Sequence, residues 1–319
     1  MNIFSNNTTL HSRKGFYEFR SRIPAILVLL LVPALARAEI VITLKNSFIE
    51  QFKNRATITA TYTVDKAHPR PNPVSKDADI HIAGRAPEIE LPTVAEIMNA
   101  ASQTGVLSLI RRVAGTSNTI NITGAWRLWC EHGGEDEQIQ GAALSAFDTT
   151  NPPHVFEIHP ITKVNNISTA SSLHPIGAAF KTKDAEQAFT SYENKKFEIT
   201  PHGDTTTLTT TMGGFNYVEF KIELNDEPQQ ISDGYFAMAT VKTLGGDVIV
   251  NNRRMVFVKG TPPETRLKTM HKGGTLHVLG IPRFDLAIVS FRINHAQDRP
   301  GILSWGLPYE MIIAGVYPH

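Results

Sequence analysis

The feature that most narrows the folds open to this chain is apolar and β-branched alternation at a period of two. Ala56–Val64 reads ATITATYTV, with threonine at every second position, and comparable runs recur at Ile120–Cys130, His154–Val164, Tyr217–Leu224, Tyr235–Leu244 and Asp247–Val258. Successive side chains on a strand point to opposite faces, so such runs read as sheet rather than helix. Shorter strand candidates are Asp79–Ala83, Thr93–Met98, Thr275–Leu279, Phe284–Ile293 and Pro308–Val316. The clearest helical spacing is in Ala100–Val113, where Val106, Leu107, Ile110 and Val113 fall on one face. The expected fold is mainly β with short helices.

Between residues 56 and 164 the order is strand, strand, strand, helix, strand, strand. This order resembles the oligonucleotide/oligosaccharide-binding (OB) fold, a five-stranded Greek-key barrel with its helix between the third and fourth strands. The resemblance rests on element order and not on a diagnostic motif. It implies that the second strand pairs with the third, and the third with the fifth. Lys259–Gly280 places a short helical or turn segment before a Lys-Gly-Gly strand entry, as barrels of this fold do, so a second OB-like barrel is expected. The expected organisation is an OB-like β-barrel domain over 39–164, a polar connection over 165–215 and a second β domain over 216–319. Within the connection, Lys181–Lys196 is a helix candidate, and the Thr-rich His202–Gly214 is expected to be exposed.

Residues 1–38 are read as a secretory signal peptide. Ile23–Leu35 is uncharged and apolar, Arg13, Lys14, Arg20 and Arg22 precede it, and Ala36-Arg37-Ala38 follows in an A-x-A arrangement. The apolar core is shorter than the roughly 20 residues that span a bilayer. No later stretch approaches that length, so no membrane span is expected after cleavage and the location is read as secreted or periplasmic. Without residues 1–38 the chain carries 26 Lys/Arg and 29 Asp/Glu, a net of −3. That balance argues against binding nucleic acid by charge alone. The single cysteine, Cys130, excludes an internal disulfide framework and multi-thiolate zinc sites, and is expected to be buried on a strand.

Two short strands each carry a carboxylate and a histidine two residues apart, Asp79-Ile80-His81 and Glu157-Ile158-His159. In the barrel order, these pairs and Glu96 on the third strand gather on one patch. Imidazoles and carboxylates together suit zinc or manganese, with His81, His159, Asp79 and Glu157 as the candidate metal ligands. The bland alternative is a solvated or ion-paired strand face. Trp126 and Trp129 cannot share a strand face, so one is expected in the core and the other free to stack on a ligand. Arg253, Arg254 and Arg283 are candidates for binding phosphate or carboxylate, with ordinary ion pairing as the alternative. P-loop, GxGxxG, GxSxG, HExxH, EF-hand and CxxC patterns with useful context are absent, which demotes nucleotide-fold, serine-hydrolase and zinc-protease chemistry.

Two functions follow. The leading expectation is an exported binding or interaction module made of two β domains, its ligand a glycan or an envelope protein in preference to nucleic acid. The alternative is a metal-dependent hydrolase in which the Asp79/His81/Glu157/His159 patch holds the ion and a carboxylate acts as general base. The sequence leaves open whether the chain is an enzyme.

Overall fold

The computed structural model describes residues 39–295 and 303–318; the signal-peptide reading of residues 1–38 lies outside them. Strand β1 (Glu39–Lys45) and helix α1 (Asn46–Phe52) come first. Then follow β2 (Thr57–Ala67), β3 (Ile80–Arg85), β4 (Thr93–Ile97), α2 (Thr104–Val113), β5 (Thr119–His132), β6 (Gln138–Ile139) and β7 (His154–Val164). Next are β8 (Ile167–Ser168), β9 (Lys183–Asp184), α3 (Ala185–Glu193), β10 (Lys196–His202) and β11 (Thr205–Thr211). The remainder comprises β12 (Val218–Leu224), β13 (Gln229–Ile231), β14 (Gly234–Lys242), β15 (Val248–Val258) and α4 (Pro262–Leu267). Last come β16 (Thr275–Phe284), α5 (Leu286–His295), β17 (Leu303–Gly306) and β18 (Tyr309–Val316).

The first barrel closes in the order β2-β3-β4-β7-β5, with β4 and β7 parallel and the other pairs antiparallel. This is the OB arrangement, and α2 sits between its third and fourth strands. Val106, Leu107, Ile110 and Val113 of α2 are buried, each such apolar side chain contributing about 1.5–3 kcal/mol. Gly124 lets β5 approach β7 closely, because a Cβ there would stand 2.5 Å from the Pro160 carbonyl oxygen. The second barrel repeats the plan as β12-β14-β15-β18-β16, with β15 and β18 parallel and α4 between its third and fourth strands. Two OB-like barrels are therefore present.

Between the barrels, residues 165–215 contribute two strands of a further sheet, β17-β10-β11-β1-β6. Thr205–Thr211 is strand β11, paired on both edges, with Leu208, Thr206 and Thr210 buried, and so the Thr-rich stretch is not exposed throughout as expected from its composition. Asp184 caps α3 by accepting from the Gln187 amide. Phe284–Ile293 is the clearest error in the strand reading. Asp285 accepts from the amides of Ala287 and Ile288, which starts helix α5, and Leu286 and Val289 then bury one face.

The barrels meet over an apolar seam of Ala56, Ala125 and Met98 against Leu279, Ile281 and Ile312. Two arginines clasp across it. Arg127 of β5 donates to the Pro282 carbonyl, and Arg283 of β16 donates to the carbonyls of Trp126, Ala56 and Arg55. Both guanidiniums are fully buried. Arg283 also lies over the Trp126 ring at 3.6 Å.

Candidate functional site

Ile80, Ile82 and Ile158 point into the core, so alternation turns Asp79, His81, Glu157 and His159 to the outer wall of the first barrel. Pairing of β3 with β4 sets His81 opposite Glu96, and the parallel β4–β7 pairing brings β7 beside them. The chain leading into β12 then covers this wall with Tyr217. Asp79, Glu96, Glu157 and His159 are brought together and almost wholly buried, at 1%, 5%, 3% and 0% exposure. A solvated strand face is thereby excluded.

His159 is the hub. Its Nδ1 lies 3.2 Å from Glu157 Oε2 and 3.4 Å from Glu96 Oε2, and its Nε2 lies 3.3 Å from Asp79 Oδ2 and 2.8 Å from the Tyr217 hydroxyl. The Tyr217 hydroxyl donates to Asp79 Oδ2 and so accepts from His159 Nε2. Arg127 donates to Glu157 at 2.5 Å and to Glu131 at 3.0 Å. His81 stands one layer back, its Nε2 3.8 Å from Glu96 Oε1, with its ring stacked on His68.

The electrostatics sort these groups. Burial pushes Asp79 up to about 6, against the pull of His159 and Tyr217. Burial also raises Glu96 well above the carboxylate range, and Glu157 and Asp79 reinforce it. Burial alone would raise Glu157 too, but Arg127, His154 and His159 hold it well below. Burial disfavours the imidazolium of His159, and Glu96, Asp79 and Glu157 outweigh that and raise it. His81 is pushed down to about 4, by burial first and then by His68. Near neutrality the hub is an imidazolium clamped by carboxylates.

Residues outside the candidate set read from the sequence complete the cluster: Arg127, Tyr217, His154, Glu131 and His132. His154 donates from Nδ1 to the Pro152 carbonyl, leaving Nε2 3.4 Å from Glu157 Oε1. Its ring stacks on His132, whose register partner it is. The E-x-H and D-x-H spacing does not report them, because only the closed barrel and its cover bring them in. Two further signs mark the region. Among the described residues six buried side-chain polar atoms lack a hydrogen-bond partner, and Asp79 Oδ1, His81 Nδ1 and His154 Nε2 are three of them. Ala78, Asn99 and Tyr217, which flank the cluster, adopt φ of 61°, 48° and 51°, a costly region for residues with a Cβ.

Neither tryptophan offers a ring to a ligand. Trp126 is buried beneath Arg283 and donates to the Arg55 carbonyl, while Trp129 packs on Tyr192 and Phe284. The C-terminal arginines are likewise engaged: Arg254 with Glu310 and Asp285, Arg283 with Glu310, and Arg253 with Glu193 and the Tyr309 ring.

An open groove lies elsewhere on the seam, where residues after β7 meet the start of α4. Ser168, Ser171, Gly260, Thr261, Thr265 and Arg266 line a cavity of about 660 Å³, and no carboxylate takes part in its lining. Lys163, the register partner of Ser168, is exposed beside it.

No protein-family model matches this chain, and neither does any curated protein. Solved structures that it resembles include one described as structural mimicry for functional antagonism, with a TM-score of 0.19 and 12% identity over 74% of this chain and 90% of that one. Another is the Ifi202 HINa domain in complex with 20-bp dsDNA, at 0.17 and 11%, over 71% and 85%. A third is a murine DNA-binding protein bound to dsDNA, at 0.18 and 12%, over 83% and 99%. Two of the three are described as complexes with duplex DNA. The preference for glycan or envelope protein over nucleic acid is withdrawn on a local ground: a net charge averages over all faces, and the groove on the seam is lined by one guanidinium and by no carboxylate. The hydrolase alternative is withdrawn as well. Its carboxylates and His159 are sealed under Tyr217, where no substrate reaches a metal-bound water, and Arg127 already occupies Glu157. Among the described residues no helix is long and apolar enough to cross a membrane.

Proposed function

We propose that this tandem-barrel chain binds nucleic acid, receiving the sugar–phosphate backbone in the seam groove lined by Ser168, Ser171, Thr265 and Arg266. The observation that carries this reading is the combination of hydroxyls, a glycine backbone and a guanidinium with no carboxylate in the lining. Most hydrogen bonds from proteins to DNA go to phosphate and sugar, and come from Arg, Lys, Ser, Thr and backbone amides. Lys163, exposed beside the groove, and Arg266, which exchanges an existing partner for phosphate, account for about two phosphates, so the logarithm of affinity is expected to fall with the logarithm of salt at a slope near −2. The modest charge of the chain makes this a weak, short-footprint contact.

The test is fluorescence anisotropy of a labelled 20-bp duplex and of its single strand, between 50 and 200 mM salt. Lys163→Glu combined with Arg266→Glu is expected to weaken binding at least tenfold. No binding at 50 mM salt, or equal binding by the double variant, overturns the reading. Placement outside the cytoplasm, secreted or periplasmic, is a further proposal that rests on residues 1–38 alone. N-terminal sequencing of the exported chain checks it, the expected first residue lying near Glu39.

A further inference from the structure

We infer that Asp79, Glu96 and His159 form a site for one divalent cation of the zinc–manganese class, buried in the first barrel's outer wall beneath Tyr217. The inference is independent of the nucleic-acid reading and assigns the ion no reaction. One donor atom from each of the three residues lies within 4.8 Å of the other two. Metal–oxygen and metal–nitrogen bonds of about 2.0–2.2 Å place neighbouring donors about 3–3.6 Å apart, so binding an ion would draw these side chains together. Two carboxylates and an imidazole are the mixed donor set that zinc, manganese and ferrous iron accept.

Fixed charge points the same way. Asp79, Glu96 and Glu157 are buried together, and the one permanent cation bonded to them, Arg127, is shared between Glu157 and Glu131. Asp79 and Glu96 have no bonded guanidinium or ammonium and share His159 as their cationic partner, with the Tyr217 phenol on Asp79, His81 near Glu96 and the Asp77 carboxylate in the neighbourhood. Buried carboxylates are costly unless paired or bound to a metal, and a divalent ion would replace the protons that Glu96 and His159 otherwise carry. The independent pointer is Asp79 Oδ1, an acceptor without a hydrogen-bond partner in a residue 1% exposed. Glu96 thus takes the ligand place expected of His81 and Glu157, because His81 stands behind it and Arg127 holds Glu157. Closed sites of this kind load as the chain folds, and so stabilise the fold.

The experiment uses the full-length chain, stripped with EDTA and then dialysed against Mn2+ or Zn2+. The expected result is one equivalent retained per chain by elemental analysis and a thermal midpoint raised by at least 5 °C. Asp79→Asn and Glu96→Gln, both near-isosteric, should each weaken retention at least tenfold, whereas Arg266→Glu should leave it unchanged. In the wild type, Mn2+ should also broaden the His159 ring signals, a readout that needs no variant. Absence of a retained equivalent of either ion, retention undiminished in both single variants, or an unbroadened His159 overturns the site. Failure of the duplex titration would leave these outcomes untouched, so the two proposals fail separately.

Discussion

On its buried outer wall the first barrel sets three carboxylates, Asp79, Glu96 and Glu157, against the one guanidinium of Arg127. The second barrel buries Asp285 and Glu310 against two guanidiniums, Arg254 and Arg283. Strand order is the same in both, so topology does not dictate the difference. In the second barrel each charge has a bonded counter-charge, and the network reads as a clasp. In the first the shortfall of positive charge is taken up by a histidine held as imidazolium, and three polar atoms of the cluster lack a hydrogen-bond partner. A fold optimised for stability alone has no reason to keep such a cluster, since apolar residues of similar volume are often as stable. The imbalance, more than the residue types, is what marks the first barrel's wall as a candidate site.

The sharpest way to break this contrast is to delete one member of each network and compare. Arg283→Met leaves Glu310 with half its partners and removes a donor from the carbonyls of Ala56, Trp126 and Arg55, of which Arg55 keeps the Trp126 indole, and is expected to cost about 3–5 kcal/mol. Glu96→Gln, measured in EDTA, removes a carboxyl that burial already holds uncharged, and is expected to change stability by about 1 kcal/mol or less. Urea unfolding of both variants decides it. Equal losses would mean that the two networks do the same structural work.

How much of this was readable from residues alone follows from which interactions are local. Alternation and the helical spacing of Val106, Leu107, Ile110 and Val113 are local patterns, and with them the barrel order was legible. From that order came the convergence of Asp79, Glu96, Glu157 and His159, because strand adjacency follows from topology. Arg127 was missed because it depends on the β5–β7 register that sets it opposite Glu157, and Tyr217 and the burial of the patch were not legible, since they come from the chain that covers the wall. Trp126 shows the same limit: its packing against Arg283 of the second barrel is not visible in β5 alone. Phe284–Ile293 was misread because its apolar residues fit both periods, and the deciding signal was the capping Asp285.

A second, smaller effect separates the networks by pH. Burial lifts Asp79 and Asp285 from an ordinary 3.8 to about 6. A carboxyl with a raised native pKa binds more protons folded than unfolded. Its contribution is therefore full below about pH 4 and is lost as pH climbs through about 6. His81 is pushed down to about 4 and works in the opposite sense, removing stability as pH falls from 6.5 toward 4. Asp79→Asn or Asp285→Asn should each remove a falling slope, worth at most about 3 kcal/mol. Either variant then gains more stability than the wild type between pH 4.5 and 6.5, with EDTA present throughout. An unchanged pH profile in Asp79→Asn, beside a changed one in Asp285→Asn, would show that the unbalanced cluster does not hold that proton.

The smallest effect is read at Cys130, on the strand β5 that belongs to the first barrel and clasps the second. Its thiol is buried and donates to the Gly213 carbonyl at 3.2 Å, and burial pushes it up to about 11. At pH 8 that leaves about one thiol in a thousand as thiolate, and the native chain should react with an aromatic disulfide reagent only as fast as it opens. One equivalent should react at once in guanidinium chloride. Because opening of the seam exposes β5, Arg283→Met should raise the native reaction rate well above that of Glu96→Gln. If the two variants react alike, the clasp of the second barrel does not hold β5 closed, and the contrast between the two charge networks loses its structural half.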